Sequence, residues 1–108
     1  MPTAVIDGAT IRDWDSFHDE CARVFGFPTF YGRNLNAFVD CLNYLEQDVG
    51  MTKFVLKPGE TLEVRVNGSA TLRNAAPDIL QALRDSIGHI NRDYEERGLP
   101  ALVRLVEE

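Results

Sequence analysis

Pro28-Thr-Phe-Tyr-Gly-Arg-Asn-Leu-Asn-Ala-Phe-Val-Asp-Cys-Leu42 is the stretch on which the reading of this 108-residue chain turns. Pro28 and Gly32 break the chain, and Asn34 can cap a helix because its side-chain carbonyl accepts a backbone N–H left free in the first turn. The helix is expected to run from Asn34 to about Leu45 or Gln47. At about 100° per residue, Leu35, Phe38, Leu42 and Leu45 fall on one side, and Asn36, Asp40, Asn43 and Gln47 on the other. Asp40 therefore points away from the core. Any surface helix carries polar residues outside, and two features go beyond that. Val39 lies at the edge of the polar face beside Asp40, and the aromatic pair Phe30-Tyr31 stands in the loop just upstream. A carboxylate flanked by apolar and aromatic groups fits a protein-binding hot spot better than a solvated face.

Outward from this stretch, Thr3 to Asp7 is a β-rich run closed by Asp7-Gly8, a turn signal, and reads as the first strand. Ile11, Trp14, Phe17, Cys21, Val24 and Phe25 recur at steps of three and four, which predicts a helix with one buried stripe. Trp14, Phe17 and Tyr31 are assigned to packing on these stripes. Residues 52–57 read as the second strand, closed by Pro58-Gly59. In residues 61–66, Leu62, Val64 and Val66 alternate with charged residues, as in an exposed or edge strand ending at Asn67-Gly68. From Pro77 a long helix follows, with Ile79, Leu80, Leu83, Ile87, Ile90 and Tyr94 on one face, ended by Gly98 and Pro100. Residues 101–106 read as an apolar strand covered on both faces. The sum is a single α/β domain over residues 1–108. It has a small, mainly parallel three-stranded sheet packed by helices, with room for one extra edge strand.

Seventeen acidic against eleven basic residues give a net charge of −6. That balance argues against direct nucleic-acid binding, which needs a basic footprint, and suits a basic protein partner. No basic residue lies between Arg33 and Lys53, where Asp40, Glu46 and Asp48 supply three negative charges. The acidic field thus overlaps the stretch of interest. The N-terminus lacks a basic start followed by an apolar run, and no segment approaches the ~18 apolar residues of a membrane helix. A cytoplasmic protein with two reduced, structural cysteines, Cys21 and Cys41, is the expectation. No catalytic or metal pattern emerges, because His18 and His89 belong to no ligand spacing and the glycines form no phosphate-cradling cluster. Ser16, Ser69 and Ser86 stand in no nucleophile-elbow context. The chain reads as a binding protein without cofactor or metal, not as an enzyme.

The stretch 28–42 resembles the barstar family, the intracellular inhibitors of barnase-type ribonucleases, which carries Pro-x-aromatic-Tyr-Gly-x-Asn-Leu-x-Ala-x-x-Asp-Cys-Leu in this place. The resemblance extends weakly from Ala4-Val5-Ile6-Asp7-Gly8 to the last strand. It implies a barstar-like fold and a 1:1 complex with a basic ribonuclease, the inhibitor being a monomer when free. The loop 28–34 and the helix 34–47 would block the enzyme's active site, with Asp40 standing in for the substrate phosphate. Carried over residue by residue, the partner-binding set is Phe30, Gly32, Asn34, Asn36, Val39, Asp40, Asn43 and Asp85. Phe30 keeps the ring of a family tyrosine without its hydroxyl, Asn36 replaces an aspartate, and Val39 replaces a tryptophan. Asp85 corresponds loosely to a binding glutamate. These departures imply a ribonuclease other than barnase itself, or a module of the same fold redirected to a non-ribonuclease protein. The family also has a short helix near residues 58–72, where the alternation here reads as a strand.

Overall fold

Three short strands, β1 (Thr3–Asp7), β2 (Leu62–Asn67) and β3 (Val103–Glu107), form one all-parallel sheet in the order β1-β2-β3. The computed structural model describes residues 2–108. Parallel neighbours need long crossovers. The first consists of a 3₁₀ turn (Gly8–Thr10), α1 (Trp14–Phe25), α2 (Leu35–Leu42) and an extended segment, and the second of α3 (Ser69–Ala75) and α4 (Pro77–Glu96).

The helices pack on one face of the sheet. Ala4 and Ile6 of β1, Leu62, Val64 and Val66 of β2, and Val103 of β3 are buried there with Phe17, Phe25, Phe38, Leu42, Leu72, Leu80, Leu83 and Ile90. The other face is open, with Thr3, Val5 and Asp7 beside Glu63, Arg65 and Asn67, then Arg104 and Val106. Arg65 offsets charge on this face by pairing with Glu63 and Glu108.

Several sequence expectations change. Residues 61–66 are not an exposed or edge strand; β2 is the centre of the sheet. Its alternation arises because one face of the whole sheet meets water, which a strand shows wherever it stands in the order. The sheet has no fourth strand among the described residues, and residues 52–57 form none. That segment is instead pinned by single bonds, Lys53 N–H to the Phe25 carbonyl (2.8 Å) and Leu56 N–H to the Leu45 carbonyl (2.7 Å). Leu56 alone in it is buried, so there is no apolar row to lay on a neighbouring strand. The last strand is an edge with one open face, and Arg104 at its second position is exposed for that reason. Finally, α3 follows β2 directly after Gly68 (φ 68°), so this region holds both the strand read from alternation and a short helix. Leu72 anchors α3 in the core.

The helices themselves follow the sequence signals. Asp13 and Ser16 form a capping box at the start of α1, and Gly26, left-handed at φ 67°, ends it. Asn34 caps α2 by accepting the Ala37 N–H at 2.8 Å. The helix is shorter than expected, stopping at Leu42 before a series of turns. It packs against α4, which carries its outer face to the surface.

Candidate functional site

The loop 28–34 is tied to α1 before α2 begins. Tyr31 turns inward: its N–H donates to the Pro28 carbonyl (2.9 Å) and its ring packs on Phe27 (4.5 Å). Its hydroxyl lies 2.7 Å from Nδ1 of His18, which is only 4% exposed. Burial pushes the Tyr31 phenol up, so it stays neutral and serves as a hydrogen-bonding group. With Tyr31 drawn in, its neighbour Phe30 is left 74% exposed.

Arg33 is the one non-glycine position with a left-handed backbone among the described residues (φ 54°). Its guanidinium reaches back to α1, donating to the Asp19 carboxylate (2.8 Å) and the Asp15 carbonyl (3.1 Å). The only cation of residues 24–52 is therefore turned away from α2. Asn34 is exposed but fully used, with Oδ1 capping α2 and Nδ2 donating to the Gly32 carbonyl (3.2 Å). At Gly32 a Cβ would stand 3.3 Å from that of Ala37, so a side chain would press on the first turn of α2. Gly32 and Asn34 thus shape the loop.

On α2 the wheel is realised. Phe38, Cys41 and Leu42 are buried, Leu35 and Val39 half-buried, and Asn36, Asp40 and Asn43 exposed. The Asp40 side chain makes no hydrogen bond or ion pair among the described residues. Glu46 is committed differently, accepting from the Tyr94 hydroxyl (3.0 Å) and so tying the turn after α2 to α4.

Two hollows flank this outer face. One, about 300 Å³, is lined by Leu35, Asn36 and Val39 of α2 and by Asp85, Ser86 and His89 of α4. Asp85 is steadied there by Gln81, whose Nε2 donates to it at 2.9 Å. The other, about 480 Å³, is lined by Asp40, Asn43, Tyr44, Gln47 and Met51. The structure thus gathers Asn36, Val39 and Asp85 on one side, and Asp40 and Asn43 on the other, with Phe30 exposed on the loop that leads in. Tyr44 and Met51 were not singled out in the sequence, and Ser86 and His89 were weighed there only as catalytic or metal-binding groups. Tyr44 stands one turn after Asp40, so helical spacing could have found it; the other three are brought in by the tertiary arrangement.

Chemistry of other kinds finds little support in the geometry. Both cysteines are buried and unpaired, and burial raises each thiol, that of Cys21 most strongly. Among the described residues no three His, Cys, Asp or Glu side chains gather as a metal site, and no helix is long and apolar enough to cross a membrane. What the arrangement offers is an acidic, partly aromatic surface on a preset loop and helix.

The sequence pattern of the family described as Barstar (barnase inhibitor) matches residues 1–106. The chain is also 40% identical over 95 residues to a protein of Bacillus subtilis (strain 168) described as "Putative ribonuclease inhibitor YrdF"; the match covers 88% of this chain and 96% of that protein.

Proposed function

This chain belongs to the barstar family, and from that membership we propose that it is an intracellular inhibitor that plugs the active site of a basic, barnase-like ribonuclease in a 1:1 complex. The observation that carries the reading is the Asp40 carboxylate, exposed at the centre of the outer face of α2 and without a hydrogen bond or ion pair among the described residues. A ribonuclease must hold a phosphate, so its cleft presents Arg, Lys or His groups. A carboxylate delivered into that cleft takes the phosphate's place and gains charge-assisted hydrogen bonds in a site from which water is excluded.

The surroundings of Asp40 support the docking geometry. Arg33, which would repel a cationic cleft, is neutralised by Asp19 and Asp15. Phe30 offers an exposed ring, and the loop that carries it is held by the contacts of Tyr31 and Arg33 to α1, so little ordering is left to be done on binding. Net charge of −6 steers a basic partner inward and makes the association rate fall with salt. Asn36 supplies hydrogen bonds without charge and Val39 little contact area, so the matching enzyme has a cleft different from that of barnase. These same two positions favour the second reading, a module of this fold directed at a non-ribonuclease protein.

The test is a titration of several barnase-like ribonucleases with the purified protein. The proposal expects activity to fall linearly to an endpoint at one inhibitor per enzyme for at least one of them. Full activity in every enzyme at excess inhibitor would contradict it and favour the redirected module.

A further inference from the structure

We infer that the outer edge of β3 is a second docking site, at which an extended, acidic segment of a partner protein adds to the sheet beside Leu105. The inference goes beyond the inhibitor reading, because the hollow at this edge shares no lining residue with the two beside α2.

Along and just beyond β3 the even-numbered residues serve β2: Leu62 N–H donates to the Leu102 carbonyl and Glu108 N–H to the Val66 carbonyl, both at 2.9 Å. Val103, Leu105 and Glu107 therefore aim their backbone groups outward. At Val103 both groups are taken by the Asn91 amide. The N–H and carbonyl of Leu105 have no partner among the described residues. α4 runs back along this edge and is tied to it at two points. Asn91 holds Val103, and Arg84 holds the Glu107 carboxylate through Nε (2.7 Å) and Nη2 (2.6 Å). Between the ties lies a hollow of about 550 Å³, lined by Arg84, Ile87 and Gly88 of α4 and by Val103, Arg104 and Leu105 of β3.

Gly88 opens that hollow. Glycine weakens a helix interior relative to alanine. Nothing in this chain requires it at 88: its backbone is not left-handed, and a Cβ there would meet no atom within 4 Å. The space it leaves serves a group from outside. A strand laid beside β3 puts the residue paired with Leu105 on the same side of the sheet as the Leu105 side chain, towards α4, and puts that residue's neighbours on the open face. The first position calls for an apolar side chain, to fill the space over Gly88. The second calls for a carboxylate, because Arg104 is exposed and has no ion pair or hydrogen bond among the described residues. Strand addition draws affinity from main-chain bonds and selectivity from such alternate side chains. A second copy of this chain fits less well, since two such edges would bring their Arg84 and Arg104 side chains together.

The probe is the peptide acetyl-Thr-Glu-Val-Glu-Thr-amide, titrated into the protein while backbone NMR shifts are followed. Replacing both glutamates by lysine reverses its charge, and N-methylation of its valine removes a main-chain donor. The inference expects saturable shifts centred on residues 84–91 and 103–107 with a roughly millimolar dissociation constant, and binding about fivefold weaker or worse with either control. Gly88→Leu should abolish the shifts while raising the thermal midpoint, a pair of effects that a purely structural glycine would not give. Arg104→Glu should reverse the preference between the acidic and the basic peptide. No saturable shift, shifts centred elsewhere, equal responses to the three peptides, or unchanged binding in Gly88→Leu would each overturn the inference. Shifts at this edge that grow with protein concentration in the absence of peptide would give the edge to a second copy and overturn the acidic occupant. The ribonuclease titration reads the face of α2, so the two tests fail or succeed separately.

Discussion

The bond between His18 and Tyr31 is expected to couple the stability of the core to the placement of the loop, and a double-mutant cycle measures that coupling. His18→Phe keeps a ring of similar size against Trp14 and Phe17, and leaves the half-buried Tyr31 hydroxyl without its partner 2.7 Å away. Tyr31→Phe does the converse, stranding a nitrogen of a side chain that is 4% exposed. An orphaned buried polar group costs about 1–3 kcal/mol, and removing both partners together can be nearly neutral. Each single variant should therefore lose about 1–2 kcal/mol in equilibrium urea unfolding, and the double variant clearly less than the sum, a coupling of about 1 kcal/mol. The pH dependence provides a second readout. Burial first, and then the nearby Arg33 charge, hold His18 below its ordinary value of 6.5. As pH falls through 6.5 the unfolded chain takes up this proton before the folded one, so stability is full above 6.5 and declines towards the lowered folded value. His18→Phe should remove that part of the slope. Additive single effects to within about 0.3 kcal/mol, together with an unchanged pH profile, would refute the reasoning.

Further consequences follow from the fold. The Asn91 amide covers the outer edge of β3, donating to the Val103 carbonyl (2.7 Å) and accepting its N–H (3.0 Å). Asn91→Ala should cost about 1–3 kcal/mol and, by freeing a sheet edge, raise self-association measured by sedimentation as concentration increases. Gly8→Ala should lower thermal stability by about 1–3 kcal/mol, because its Cβ would lie 2.8 Å from the Asn67 carbonyl oxygen and 3.0 Å from that of Gly68, neither free to swing aside. Both cysteines should resist iodoacetamide in the native protein and react once it is unfolded; rapid native labelling at Cys41 would show that this face of α2 is not packed as described.

Much of this architecture is legible in the residues because local periodicity and burial coincide. Leu35, Phe38 and Leu42 against Asn36, Asp40 and Asn43 give α2 its two faces, and the stripes of α1 and α4 are equally plain. The order of strands is not, because Leu62, Val64 and Val66 would alternate with Glu63 and Arg65 in any strand with one wet face. The apolar character of residues 52–57 likewise reports a place near the core, which an extended segment held by two isolated bonds satisfies as well as a strand does. Seven-residue α3 has too few turns for a stripe, and its burial rests mainly on Leu72. In the candidate site, the partner-facing positions of α2 follow from the wheel. The hollows do not, since Ser86, His89 and Met51 reach them only through the packing of α4 and the turns after α2.

The central claim is that Asp40 carries recognition of a cationic ribonuclease cleft, and the most direct measurement is the affinity of Asp40→Ala for an enzyme that the wild type inhibits. Glu63→Gln, an equal loss of charge on the open face of the sheet, serves as the control. Loss of charge-assisted hydrogen bonds in a dry site costs about 2–3 kcal/mol, so Asp40→Ala should weaken binding about 30- to 150-fold, mainly through faster dissociation. Glu63→Gln should change the affinity by less than about threefold, through the association rate alone. Equal small effects from the two substitutions, with both proteins folded, would contradict the account.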